Sequence, residues 1–235
     1  MNDLDSVLKQ LVQTFADTAK ELKETIVPLC EIIITDNIYE FVNNDDAEYA
    51  NRLKTGAYYG LCYVNSNNKF NLIIKTNDLN NMLLSIYHEY VHYVDYYKLG
   101  IHENSSDYRQ LQDDAFFKLW SEFHASYLSN LHLIQLGKEN IIPEDVCIQL
   151  TNNVTNYLNS SSVLDVETSI DFMVRTYGVY IALHDEFNDL EKFPSEILIN
   201  QDFARIYAFL YKYRTFDSLI EKRDKWTQLL KQLEK

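Results

Sequence analysis

From Asn77 to the end of the chain the apolar residues recur with a period near 3.6, which commits most of the 235 residues to helices. Only five glycines and three prolines are present, so few positions break them. Before that point the period is two. CEIIIT (30–35), AYYGLCYV (57–64) and KFNLIIKT (69–76) read as β-rich runs, and NSNN joins the last two as a β-hairpin. Alternation is clearest at Phe70, Leu72 and Ile74. Residues 2–27 read as an amphipathic helix that stops before Pro28. The expected class is α+β, mostly α, with a small antiparallel sheet and a helical C-terminal half.

Thr76 or Asn77 can cap a helix running to Leu99, with Gly100 placed to end it. HENSSDYRQLQDD follows as a long polar loop. Helices are expected near 113–136, 144–158, 162–187, 196–214 and 216–233, Gly137 closing the first and Pro143 opening the second. The expected organisation is a single domain over residues 1–235, its core at about 28–136 and a helical extension at about 140–235.

A formal charge of −14 argues against a general nucleic-acid binder, because phosphate neutralisation needs clustered Lys and Arg. It equally disfavours an anionic membrane surface. Cys30, Cys62 and Cys147 are odd in number and widely spaced, which fits buried free thiols in a reducing compartment. The first residues lack the basic start and apolar run of a signal peptide, and no run approaches the roughly 20 apolar residues of a membrane span. A cytoplasmic protein is expected.

His88-Glu89-Tyr90-Val91-His92 lies inside the long helix. Residues four apart share a helix face, so both imidazoles can point at one ion. Glu89 projects about 100° around the helix, where it can hold a metal-bound water as general base. A chance H-E-x-x-H in a chain this long is roughly a one-in-a-hundred event. Asn81, Ser85, His92 and Asp95 share the His88 side, a polar stripe backed by Leu83, Ile86, Tyr87, Tyr90, Val91 and Val94.

A catalytic zinc takes three protein ligands and water. Asp95 sits about 10.5 Å along the axis from His88, which suits a hydrogen bond to a ligand imidazole better than ligation. His102 can reach from the loop. Cys62 is the kind of upstream thiolate that peptide deformylases use. Glu122, in KLWSEFHASYLSN, ranks first. Ala125, Ser126 and Ser129 on its side permit close approach of a second helix, and Phe116, Trp120, Phe123, Tyr127 and Leu131 form the opposite, core-facing stripe. His124 points away from Glu122.

HEYVH with a downstream glutamate resembles the gluzincin metallopeptidases, and the E-x-x-A of Glu122 to Ala125 looks like the second motif of the ImmA/IrrE-like group. The resemblance covers about residues 57–135. It implies a zincin-like core, a Zn2+ ion held by His88, His92 and Glu122, and an antiparallel strand, FNLIIKT, beside the active-site helix for substrate backbone to pair with. The activity implied is cleavage of a protein or peptide substrate, with Glu89 as general base. Tyr177, Arg175 and His184 are candidates to stabilise an oxyanion. Two other readings stay open: a catalytically silent zincin-fold binding protein, and a metal-dependent amidase or deformylase with Cys62 as ligand.

Overall fold

The computed structural model describes residues 3–19, 22, 27–28, 30–53, 59–160 and 166–233. The chain divides into two compact units, Met1–Asp114 and Ala115–Lys235. Helix predominates and the strands form one small sheet, so the class is α+β, mostly α. The last part of the expected N-terminal helix, residues 57–58 of the second strand and 162–165 of a later helix lie outside the described residues.

The first unit runs α1 (Asp3–Thr18), β1 (Glu31–Thr35), α2 (Ile38–Asp45), α3 (Ala47–Arg52), β2 (Gly60–Val64), β3 (Phe70–Lys75), α4 (Leu79–Glu103) and α5 (Tyr108–Gln112). The expected hairpin forms: β2 pairs antiparallel with β3, Cys62 opposite Leu72, and the Asn65 amide donates to the Lys69 carbonyl at 2.9 Å. However, β1 lies parallel to β3 on its other side, Ile32 opposite Leu72. The sheet is therefore mixed, in the order β1-β3-β2, rather than antiparallel.

A parallel pair needs a crossover, and α2 and α3 lie in this one, where the period gave no helix. Each is short and announced by its cap. The Asn37 side chain accepts from the Glu40 amide, and the Asp46 side chain from the Tyr49 amide. They cover one sheet face, where Ile38, Val42, Ala50, Tyr63 and Ile73 form a buried cluster. On the other face α4 packs against β2 and β3. With both faces covered, β3 is buried at Asn71 and Ile73 as well as at the alternating Phe70, Leu72 and Ile74.

Helix α4 starts one residue later than expected and runs past its expected stop. Asp78 is the cap, accepting from the Asn81 amide at 3.1 Å. Gly100 stays helical, and its missing side chain makes room for Tyr108 and the Ser105 carbonyl instead of ending the helix. The end comes at Asn104, in the left-handed region (φ 51°), with Ser105 N–H donating to the Gly100 carbonyl and Asn104 N–H to that of Ile101. The expected loop after it holds the single short helix α5.

The second unit runs α6 (Ala115–Gly137), a 3-10 turn (Lys138–Asn140), α7 (Pro143–Ser160), α8 (Val166–Glu186), a second turn (Ser195–Ile197), α9 (Gln201–Lys212) and α10 (Phe216–Lys231). Helices α6 and α8 share its most extensive contact. At Gly178 they touch backbone to backbone: a Cβ there would lie 2.7 Å from the Phe123 carbonyl oxygen. Helix α6 is buried continuously from Leu119 to Ser129, so its expected stripe is only part of a helix covered all round. Trp120, Phe123 and Tyr127 are buried, whereas Phe116 and Leu131 are only partly so. Two indoles tie its start to the C-terminal helices, Trp226 donating to the Phe116 carbonyl and Trp120 to that of Tyr213.

Cys62 is buried and Cys30 and Cys147 are half-buried, all three as free thiols. Burial pushes the Cys30 thiol up to about 11. Among the described residues, no helix is long and apolar enough to cross a membrane.

Candidate metal centre

His88 and His92 sit one turn apart in the middle of α4, their rings 4.7 Å apart and nearly perpendicular. Their Nε2 atoms are 3.1 Å apart. Two zinc–nitrogen bonds at a tetrahedral angle hold their nitrogens about 3.3 Å apart. The imidazoles therefore stand close to the spacing that one ion requires. His88 is half-buried and His92 buried. Asp95 on the same stripe is fully buried, so the stripe runs from exposed at Asn81 to interior at His92 and Asp95.

His88, His92 and Glu122 each offer a ligand atom, and these atoms lie within 4.8 Å of one another. Such a His-His-Glu group can hold a metal ion. Two neutral nitrogens and one carboxylate are the donor chemistry of a zinc site that keeps a position open. Neither Cys62, Asp95, His102 nor His124 belongs to that group. His124 is instead buried and stacked on Trp120, ring centroids 4.6 Å apart.

Glu89 lies outside the group as well. Its Oε2 accepts from the Cys62 amide of β2 at 2.7 Å. It can come so close because residue 60 has no side chain: a Cβ at Gly60 would stand 2.7 Å from Glu89 Cγ. A carboxylate next to the ligand pair yet outside their group suits a base rather than a ligand.

The expected strand lies beside this helix but is not open to another chain. FNLIIKT is the central strand, paired on both sides, so it has no edge to offer another chain. The edge strands are β1 and β2, and β2 is the antiparallel one. Bonds at the Tyr59–Lys75 and Asn65–Lys69 pairs set the alternation, which turns the N–H and C=O groups of Gly60, Cys62 and Val64 outward. Side chains already occupy part of that edge. Glu89 takes the Cys62 N–H, Gln112 donates to the Cys62 carbonyl at 3.0 Å, and Arg109 donates to the Val64 carbonyl at 3.2 Å. Gln112 and Arg109 come from α5, where the polar sequence predicts a loop. No sequence signal couples them to the edge, since the pairing is tertiary.

Of the three residues considered for oxyanion stabilisation, Tyr177 is fully buried and donates to the Ile197 carbonyl. Burial pushes its hydroxyl far above the usual range. His184 packs against Tyr211 with its Nδ1 3.7 Å from Asp185. Only Arg175 is tied to a residue of the group: its Nη2 lies 2.8 Å from Glu122 Oε2, and its Nε 3.0 Å from Asp171 Oδ2. Burial pushes the Asp171 carboxyl up, against the pull of Arg175.

Comparison with protein-family models, with curated proteins and with solved structures gives no match to this chain.

Proposed function

We propose that the protein is a metal-dependent hydrolase, most readily a zinc peptidase with a zincin-like core, in which His88, His92 and Glu122 hold the ion and Glu89 is the general base. The observation that carries this is the gathering of three ligand atoms within 4.8 Å, with the adjacent carboxylate left out of it. A bound zinc would lower the pKa of a coordinated water towards about 7 and polarise a scissile carbonyl. The two imidazoles stay neutral to ligate, and Glu122 contributes a single negative charge. Glu89 takes the proton from the attacking water and passes it to the leaving amine. The Cys62 amide fixes which way the Glu89 carboxylate faces.

A second reading has one observation in its favour. Glu89 is buried and hydrogen-bonded to backbone, and the edge of β2 beside it is occupied. A catalytically silent zincin-fold binding protein would look like this too. The two readings separate on metal content and turnover. The hydrolase reading expects one zinc per chain by elemental analysis, loss of metal in His92→Ala, and retained metal without peptide-library cleavage in Glu89→Gln. Full zinc with no cleavage by the unmodified chain leaves the silent reading standing. A chain that takes up no divalent ion at equilibrium sinks both.

A further inference from the structure

A glutamate has three side-chain torsions, so a carboxylate ligand binds an ion well only when something else holds it in place. We propose that Arg175 is the positioning residue of the metal centre, fixing Glu122 by one oxygen so that the other is presented to the ion; this rests on the reading of Glu122 as a ligand. Arg175 Nη2 lies 2.8 Å from Glu122 Oε2, and Asp171 Oδ2 anchors the same guanidinium through Nε at 3.0 Å. Asp171 and Arg175 are one turn apart on α8, so their side chains share a face.

The placement follows from how the helices meet. Gly178 stands one turn beyond Arg175, and Phe123 and Ser126, which it touches, stand beside Glu122 on α6. Backbone contact at that point brings the two helices near enough for one planar fork to engage a carboxylate on each. A lysine is a point charge on a flexible stem and cannot reproduce two directed bonds at fixed geometry.

A positive charge so close to a ligand also opposes a cation, and that effect has to be weighed. Glu122 is buried, 10% exposed in its side chain, and Asp171 is 35% exposed. The guanidinium is the cation these two carboxylates share, and without it the Glu122 side chain loses the bond that fixes its rotamer. Order and charge balance together outweigh the repulsion, so removal of Arg175 weakens metal binding rather than strengthening it.

The test is a zinc titration against a chromophoric chelator, on the full chain and its variants. Arg175→Ala is expected to weaken zinc binding about 10- to 100-fold. Arg175→Lys should recover only part of the loss, and the cobalt(II)-loaded Arg175→Ala chain should show altered visible absorption bands. Zinc affinity within twofold of the unmodified chain, or tighter, overturns the proposal. Should Arg175→Ala not fold, Asp171→Asn decides: a smaller weakening in the same direction supports the proposal, and unchanged affinity overturns it. Glu122→Gln separates this from the ligand assignment. Zinc binding that depends on Glu122 but not on Arg175 sinks the positioning role alone, and binding indifferent to Glu122 sinks both.

Discussion

A methyl group added at Gly60 would stand 2.7 Å from Glu89 Cγ and 3.0 Å from its Oε1; at Gly178 it would stand 2.7 Å from the Phe123 carbonyl oxygen and 2.8 Å from the Tyr127 nitrogen. The distances match but the neighbours differ in what they can do. Glu89 is a flexible side chain and can swing away, giving up its bond to the Cys62 amide. Backbone in the middle of α6 cannot move without moving the helix. Gly60→Ala is therefore expected to cost only about 1 kcal/mol, the net worth of one hydrogen bond, while freeing the carboxylate proposed as base. Gly178→Ala should cost about 1–3 kcal/mol of overpacking, more than the roughly 1 kcal/mol that alanine gains over glycine in a helix. Urea denaturation gives the two stabilities. Hydrogen exchange at the Cys62 amide, faster in Gly60→Ala and unchanged in Gly178→Ala, shows that Glu89 has moved.

Asn104 shows what an element's end depends on. It occupies the left-handed position that closes α4, where the 100–105 and 101–104 backbone bonds satisfy the last turn. Asparagine tolerates that region and alanine does not, so Asn104→Ala should lower stability by about 1 kcal/mol. Asn104→Gly should leave it equal or higher, both read as urea midpoints. The sequence pointed to Gly100 because glycine is the commonest helix stop, and that signal misled because Gly100 serves a contact with Tyr108 instead. The same limit explains the other differences. Strand and helix type were legible from period alone at 30–35, 69–76 and 77 onward. Helices α2 and α3 were too short to show a period, and their caps at Asn37 and Asp46 were the one local signal. Strand order was not legible, since nothing in β1 says that it lies parallel to β3. The candidate site divides likewise. His88, His92 and Glu89 follow from spacing on one helix, while the α5 contacts at the β2 edge and the Arg175–Glu122 ion pair depend on tertiary packing. The small-residue face of Ala125, Ser126 and Ser129 was visible, and the close approach it permits is made at Ser126 by Gly178 of α8.

At the scale of the whole molecule, 35 acidic residues against 21 basic ones make the folded chain repel itself at neutral pH. Mild acidification relieves that repulsion and on charge alone should favour the compact state. His132 acts in the opposite sense. It is buried in α6, and burial holds its imidazole below its ordinary value of about 6.5. The unfolded chain thus takes up this proton at a higher pH than the folded one does. Stability linked to His132 is complete above pH about 6.5, where both states are neutral, and is lost as pH falls through the lower folded value. His132→Gln cannot take up the proton in either state. The stability difference between the unmodified chain and His132→Gln, measured by urea denaturation at fixed ionic strength, should be flat from pH 8 to 7. Below that it should move steadily against the unmodified chain until the folded imidazole itself protonates. A difference that stays constant down to pH 5 would mean that the imidazole titrates alike in the folded and unfolded states, and that burial in α6 exerts no hold on it.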